Sequence, residues 1–253
     1  MSYSDYTQKW INKRSSSSHL SHEYLEKPAM SDLLPDLSGK SVLCVGCGSG
    51  EECQMILGRG AKKVVGIDTN PEFIKYANET YPECEFLVMD AQKIEFETAS
   101  FDFVYSSLTM HYLPDWRDFL AKLKLILKPG GEFLFSTHHP LKWGSQSIRS
   151  KEYNQFLMGY KKLKDPKAKP NFEVYGDYLN YRPITEKLFG EMEITHYHRP
   201  ISQMFQEITQ SGFKILDLVE PRPTKESKGV KLDFYEVYNK IPLFIIFRVK
   251  NII

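Results

Sequence analysis

The chain carries almost no net charge, few cysteines and no long apolar run, and each shortage removes a class of protein. Lys plus Arg number 33 against 32 Asp plus Glu, a net charge of +1. A dedicated nucleic-acid binder carries a basic excess, so that class is disfavoured. The four cysteines, Cys44, Cys47, Cys53 and Cys84, crowd into one stretch, whereas a disulfide scaffold needs more of them, better spread. Cys44 and Cys47 form a C-x-x-C with no second pair to complete a zinc site, and no metal is expected. The densest apolar run, 243–247, falls far short of a membrane span. The polar stretch 1–18 lacks the apolar centre of a secretory signal. A reduced, cytoplasmic chain with no membrane partner is expected, and nothing in the sequence sets an oligomeric state.

What is present suits a folded domain: 42% hydrophobic and 26% charged residues over 253 positions, enough for a full core. Residues 41–45 (SVLCV) read as a strand, 46–50 (GCGSG) break it, and 51–57 read as a helix. A second strand, 63–67, ends at Asp68; Asn70 then caps a helix that Pro71 opens. Strands follow at 85–88, ending at Asp90, and at 101–105. Residues 115–127 place Phe119, Leu120, Leu123, Ile126 and Leu127 on one helical stripe. KPGG (128–131) reads as a turn and 132–136 as a fifth strand. Beyond Pro140, residues 141–183 show no clean period, 191–198 alternates like an exposed strand, and 202–211 is a helix capped by Ser202 and stopped by Gly212. Residues 213–220 and 243–250 supply two more strands, the last antiparallel. Alternating strands and helices imply right-handed crossovers and a mostly parallel seven-stranded sheet covered on both faces, an α/β fold.

Strand, glycine loop and helix together form a ligand-loop signal. Glycines let the backbone approach a ligand, and the following helix presents free N–H groups. The dinucleotide fingerprint G-x-G-x-x-G is not met, because the third glycine comes one residue early, at Gly50. Nor does G-K-[ST] follow, so a P-loop is excluded. Asp68 and Asp90 end successive strands. An ionised carboxylate there accepts ribose hydroxyls or an exocyclic amine, and ligands of open α/β sheets bind at those strand ends.

These residues resemble a class I S-adenosylmethionine-dependent methyltransferase, of the bacterial small-molecule group. VLCVGCGSG (42–50) resembles the family's first motif, KVVGIDTNPEFIKYA (63–77) its acidic loop, and FLVMDAQKIEF (86–96) its adenine-contacting segment. FDFVYSSLTMHYLPD (101–115), LKPGGEFLFSTHHP (127–140), HRP (198–200) and EYLEKPAMSDLLPDLSGK (23–40) extend the match. One departure is Cys44, where the family usually has an acid that steadies the loop. The resemblance implies a Rossmann-like domain over 1–253. A helical cap (1–38), a cofactor core (39–140), an inserted lid after strand five (141–198) and a closing segment (199–253) would divide it. It also implies that S-adenosylmethionine is used and S-adenosylhomocysteine released. Gly46, Cys47, Gly48 and Gly50 would wrap the methionine part, Asp68 the ribose, and Thr69, Asp90 and Ala91 the adenine. Ser106 would line the sulfonium side, with Tyr24 and Arg14 closing the pocket.

Methyl transfer from a sulfonium is an in-line displacement that positioning and desolvation can accelerate. A base helps when the acceptor is a hydroxyl or a protonated amine. His139, His198 and His138 are the candidates, with His111 and Tyr112 behind them; each could instead only satisfy a turn. His138, His139, His196 and His198 could also be read as metal ligands, but the two pairs lie far apart in the chain with no compelling carboxylate nearby, and no metal is expected. No N/D-P-P-Y/F follows the fourth strand and no Pro-Cys nucleophile appears. A small-molecule oxygen or nitrogen acceptor is therefore expected. The alternatives are an RNA or protein methyltransferase, a non-enzymatic S-adenosylmethionine-binding module, or an NAD-dependent reductase, which the five-residue loop disfavours. The aromatic-rich insertion is expected to build the acceptor pocket, so removing 150–175 would abolish transfer and spare cofactor binding. Residues 141–170 hold eight basic residues against two acidic, which suits a solvated loop or the steering of an acidic substrate.

Overall fold

A computed structural model describes residues 20–164, 169–170, 172–188 and 192–252. Five strands build the first part of the sheet: β1 (Ser41–Val45), β2 (Lys63–Asp68), β3 (Glu85–Val88), β4 (Phe101–Ser106) and β5 (Leu127–His138). The insertion adds three antiparallel hairpins: β6 (Gln146–Arg149) with β7 (Asn154–Leu157), β8 (Gly159–Lys162) with β9 (Phe172–Tyr175), and β10 (Arg182–Leu188) with β11 (Met192–His198). Strands β12 (Phe213–Val219) and β13 (Phe244–Asn251) complete a seven-stranded sheet of order β12-β13-β5-β4-β1-β2-β3. The strands β1 to β5 pair in parallel, and β13 runs antiparallel to both β5 and β12, as expected.

Successive side chains leave a strand on opposite faces. Leu43 and Val45 therefore join one buried cluster with Phe119, Leu120 and Leu123 of helix Trp116–Ile126. Val42 and Cys44 join the other with Ile56 of helix Glu51–Gly58 and Ala77 of helix Pro71–Thr80. After β3 the chain returns to the far side of β1, so the connections leaving β1 and β4 diverge and open a crevice at their carboxyl ends. Asn70 caps its helix as predicted, its Oδ1 accepting from the N–H groups of Glu72 and Phe73.

Three local expectations change. KPGG is absorbed into β5 as an irregularity, with Leu127 opposite Phe101 and Glu132 opposite Phe103. Helix Ile201–Gln210 starts one residue early, and Pro200, not Ser202, stands at its cap, because Pro cannot offer an N–H to a strand and fits a helix entry. The insertion is a run of hairpins rather than irregular chain. Its strands show no clean period because several have no buried face: β8 is exposed throughout.

Candidate active site

A cavity of about 1400 Å³ opens in that crevice. One end is lined by Gly46, Cys47, Gly48, Asp68, Thr69, Asp90 and Ala91. The glycine loop is held from β2: the N–H groups of Gly46 and Cys47 both donate to the Ile67 carbonyl, at 2.8 and 3.0 Å. Asp68 Oδ2 accepts from Gly48 N–H at 3.0 Å, and its Oδ1 accepts from Asn70 N–H at 2.9 Å. The loop is thus steadied by Asp68 itself, while Cys44, in the position of the family's usual acid, is buried in the core. Burial pushes the Asp68 carboxyl up, although three backbone N–H groups counter it. A desolvated carboxylate with lone pairs to spare suits the hydroxyls of a ribose. Gly48 has φ +51°, and a Cβ built on it meets nothing within 4 Å, so the backbone here faces open cavity. These features fit S-adenosylmethionine: Gly46 to Gly48 would hold its methionine part and Asp68 its ribose.

Three of the expected cofactor contacts lie elsewhere. Gly50 does not face the cavity: with φ +88° it turns the chain into helix Glu51–Gly58, and a Cβ there would meet Phe86 at 2.8 Å. Ser106 is fully buried and donates to the Val45 carbonyl, tying β4 to β1. Tyr24 packs against the Leu25–Phe234–Phe244 cluster instead of closing the pocket. Arg14 falls outside the described residues. The N-terminal segment still reaches the cavity, through His22 and Glu23. Behind them Glu26 is completely buried and accepts from Ser107 Oγ (3.0 Å) and Ser136 Oγ (2.5 Å). Burial opposes a charge on His22, but Glu26 and Glu52 outweigh it and raise its pKa. No motif announces this network, because its partners lie more than 80 positions apart in the chain.

The other end of the cavity is walled by His111, Tyr112, His138, Lys142, Ile194, Phe234, Val237 and Phe244. Of the three candidate bases, only His138 reaches it. His139 caps helix Pro140–Gly144: its Nδ1 accepts from Leu141 N–H, and its Nε2 lies 2.8 Å from Glu220. His198 Nε2 donates to the Tyr178 carbonyl at 2.8 Å, away from the cavity. Both rings serve the backbone, the outcome that buried polar groups usually reach. His138 Nδ1 accepts from the Trp143 indole N–H at 3.0 Å, so the neutral ring carries its proton on Nε2 and has no lone pair left for a base.

The structure groups three histidines that differ from the set the sequence suggests. His111, His138 and His196 bring ring nitrogens within 4.8 Å of one another. The His111 and His138 rings stack, with centroids 3.9 Å apart and planes 22° from parallel. Burial holds all three neutral: His111 and His138 are pushed well below the ordinary range, and His196 is lowered to about 4, with Lys142 adding to the effect. Of the basic residues in the insertion, Lys142 is the one on the cavity wall among the described residues; Lys161 and Lys162 sit exposed on β8.

Residues 43–135 match the family model of the methyltransferase domain. An S-adenosylmethionine-dependent methyltransferase structure from Mesorhizobium loti shares the fold, with a TM-score of 0.74, 24% identity and coverage of 89% of this chain and 97% of that one. A Listeria monocytogenes structure assigned to the same class matches with a TM-score of 0.74 at 27% identity, over 89% and 96% of the two chains. Among curated relatives, a tRNA U34 carboxymethyltransferase from Hahella chejuensis is 36% identical over 111 residues, 41% of this chain and 34% of that protein. A malonyl-[acyl-carrier protein] O-methyltransferase from Salmonella typhimurium is 29% identical over 127 residues, 49% and 50% of the two. The chain thus spans half or less of these two curated relatives. No helix among the described residues is long and apolar enough to cross a membrane. Residues 43–135 thus carry a methyltransferase domain, on a fold that the chain shares with S-adenosylmethionine-dependent methyltransferases.

Proposed function

We propose that the chain transfers the methyl group of S-adenosylmethionine to an oxygen or nitrogen atom of a small molecule. The observation that carries this reading is the continuity of one cavity. It runs from the glycine loop and the strand-end carboxylates to a pocket walled by aromatic and aliphatic side chains from four separate elements. Such a pocket buries a small acceptor beside the donor and excludes water, which is what displacement at an activated methyl carbon needs. When bound, S-adenosylmethionine supplies the activated methyl group. The protein orients both partners: Asp68 and the loop fix the donor, while Tyr112, Phe234 and Phe244 wall the acceptor's space.

A second reading is favoured by one feature. The β8–β9 hairpin displays Lys161 and Lys162 beside the exposed rings of Tyr160 and Phe172, a basic and aromatic surface of the sort that stacks bases, and one curated relative is a tRNA enzyme. Incubation with methyl-tritiated S-adenosylmethionine and, separately, a small-molecule panel, bulk tRNA and a peptide library decides between them. Label entering small molecules alone is expected. Label entering tRNA alone would overturn the small-molecule reading, and failure to bind S-adenosylhomocysteine in calorimetry would leave neither standing.

A further inference from the structure

We propose that Lys142 is the group that takes the proton from the methyl acceptor, and that this acceptor is a phenolic or enolic hydroxyl; the proposal rests on the small-molecule reading above. Lys142 sits on the short helix Pro140–Gly144, directly after β5, and lines the cavity. Among the described residues no carboxylate is close enough to form an ion pair with it. Its Nζ lies 3.4 Å from His138 Nε2 and 4.4 Å from the centre of the Trp143 ring.

The tautomer of His138 makes this arrangement informative. Trp143 donates to Nδ1, so Nε2 carries the hydrogen and points it at Lys142. An ammonium has three donors and no lone pair, whereas a free amine can accept. The contact therefore favours the neutral amine, the form that works as a base. The surrounding charges agree. Burial lowers the Lys142 pKa to about 8, opposed by Glu186 on β10. The other groups facing it, His111, His138 and His196, are uncharged and offer no counter-ion.

The neighbours leave this role open. His138 has no free lone pair, His111 is stacked on it, and His196 is off the cavity wall. Burial pushes the Tyr112 hydroxyl up to about 12, so it stays protonated. The acceptor class follows from the walls and the chemistry. Tyr112, Phe234 and Phe244 suit a ring-bearing molecule. A phenol, with a pKa of about 10, must lose its proton to become a good nucleophile, and a lysine poised nearer neutrality is matched to that task. In the step, the O–H bond breaks, the electron pair stays on oxygen and the proton joins the Lys142 lone pair. The oxygen's pair then takes the methyl carbon, and the carbon–sulfur pair stays with sulfur. Loss of the extra proton to water resets the amine. A metal on the three histidines is not favoured, because two of the rings stack face to face rather than converge and His138's lone pair is committed.

The first test needs no acceptor. The folded protein is labelled with trace acetic anhydride across pH 6 to 10.5, and each lysine is followed by peptide mass spectrometry. Lys142 is expected to reach half its maximal reactivity near pH 8, about two units below the ordinary lysine value of about 10.4. Half-maximal reactivity at that ordinary value, or no reaction at any pH, overturns the proposal. Methyl transfer to 4-methoxyphenol and to 4-nitrophenol, which ionises unaided near neutrality, is then compared. Lys142→Met and Lys142→Arg should both lose about 10²- to 10⁴-fold on the first and less than tenfold on the second, with S-adenosylhomocysteine affinity unchanged. Equal losses on both phenols, or wild-type transfer to amines but to neither phenol, overturns it. So does a tetrahedral Co²⁺ absorption band that disappears in His196→Ala. If the wild type transfers label to no small molecule at all, the functional reading fails first.

Discussion

At the scale of single residues, the site depends on side chains that combine two duties. Asp68 both fixes the Gly48 N–H and lines the cavity with its remaining lone pairs, which we propose meet the cofactor. Asp68→Asn should therefore weaken S-adenosylhomocysteine binding about 10- to 100-fold, the range for hydrogen bonds to a charged group, as read by calorimetry. The neutral histidines have the opposite kind of consequence, because they are stable only while uncharged. In an unfolded chain a histidine takes up a proton near pH 6.5, whereas His196 in the folded protein resists until about pH 4. The stability this depressed pKa contributes is present above pH 6.5 and is lost as pH falls from 6.5 towards 4. The melting temperature should drop across that window, and His196→Gln should flatten the slope. A slope identical to wild type would remove His196 from the cause.

At the scale of elements, the segment that follows the insertion is fastened to the core through a buried ion pair. Arg199 follows β11 and is 1% exposed. Its Nε donates to Glu207 on helix Ile201–Gln210 at 3.1 Å, its Nη2 donates to the carbonyls of Leu113 and Pro114, and its guanidinium lies over Trp116. Breaking one side of such a pair strands the other charge. Arg199→Met should cost about 3–5 kcal/mol in urea unfolding, and adding Glu207→Met should recover part of that loss. In the sequence, HRP stands out only as a shared motif. Nothing local shows that Arg199 reaches back more than 80 positions to the loop after β4. The elements themselves are readable, since the short apolar runs of β1 and β4 follow from burial on both faces and the stripe of helix Trp116–Ile126 from burial on one. Gly50 and Ser106 meet neighbouring side chains and a neighbouring strand instead of the cavity, and a glycine turn or a strand-end serine has the same sequence signal in either case.

At the scale of the whole molecule, the insertion divides into a part that builds the cavity and a part that does not. Within 141–198 the cavity wall takes only Lys142, Glu193, Ile194 and Thr195 among the described residues. The strands β7 to β9 contribute none. Replacing 150–175 with a short linker is therefore expected to leave S-adenosylhomocysteine affinity within about twofold and to retain transfer to small acceptors, a reversal of the sequence-based expectation; loss of label transfer would restore it. The sequence by itself determined the order of the seven core strands, the glycine loop and the two strand-end carboxylates. These follow from short-range periodicity and backbone chemistry, which a linear reading contains. Only the tertiary structure decided which histidines meet, that His138 spends its lone pair on Trp143, and that one lysine of a basic stretch turns inward. Those facts depend on contacts between elements distant in the chain, and on burial, which alone sets whether a charged group keeps its charge.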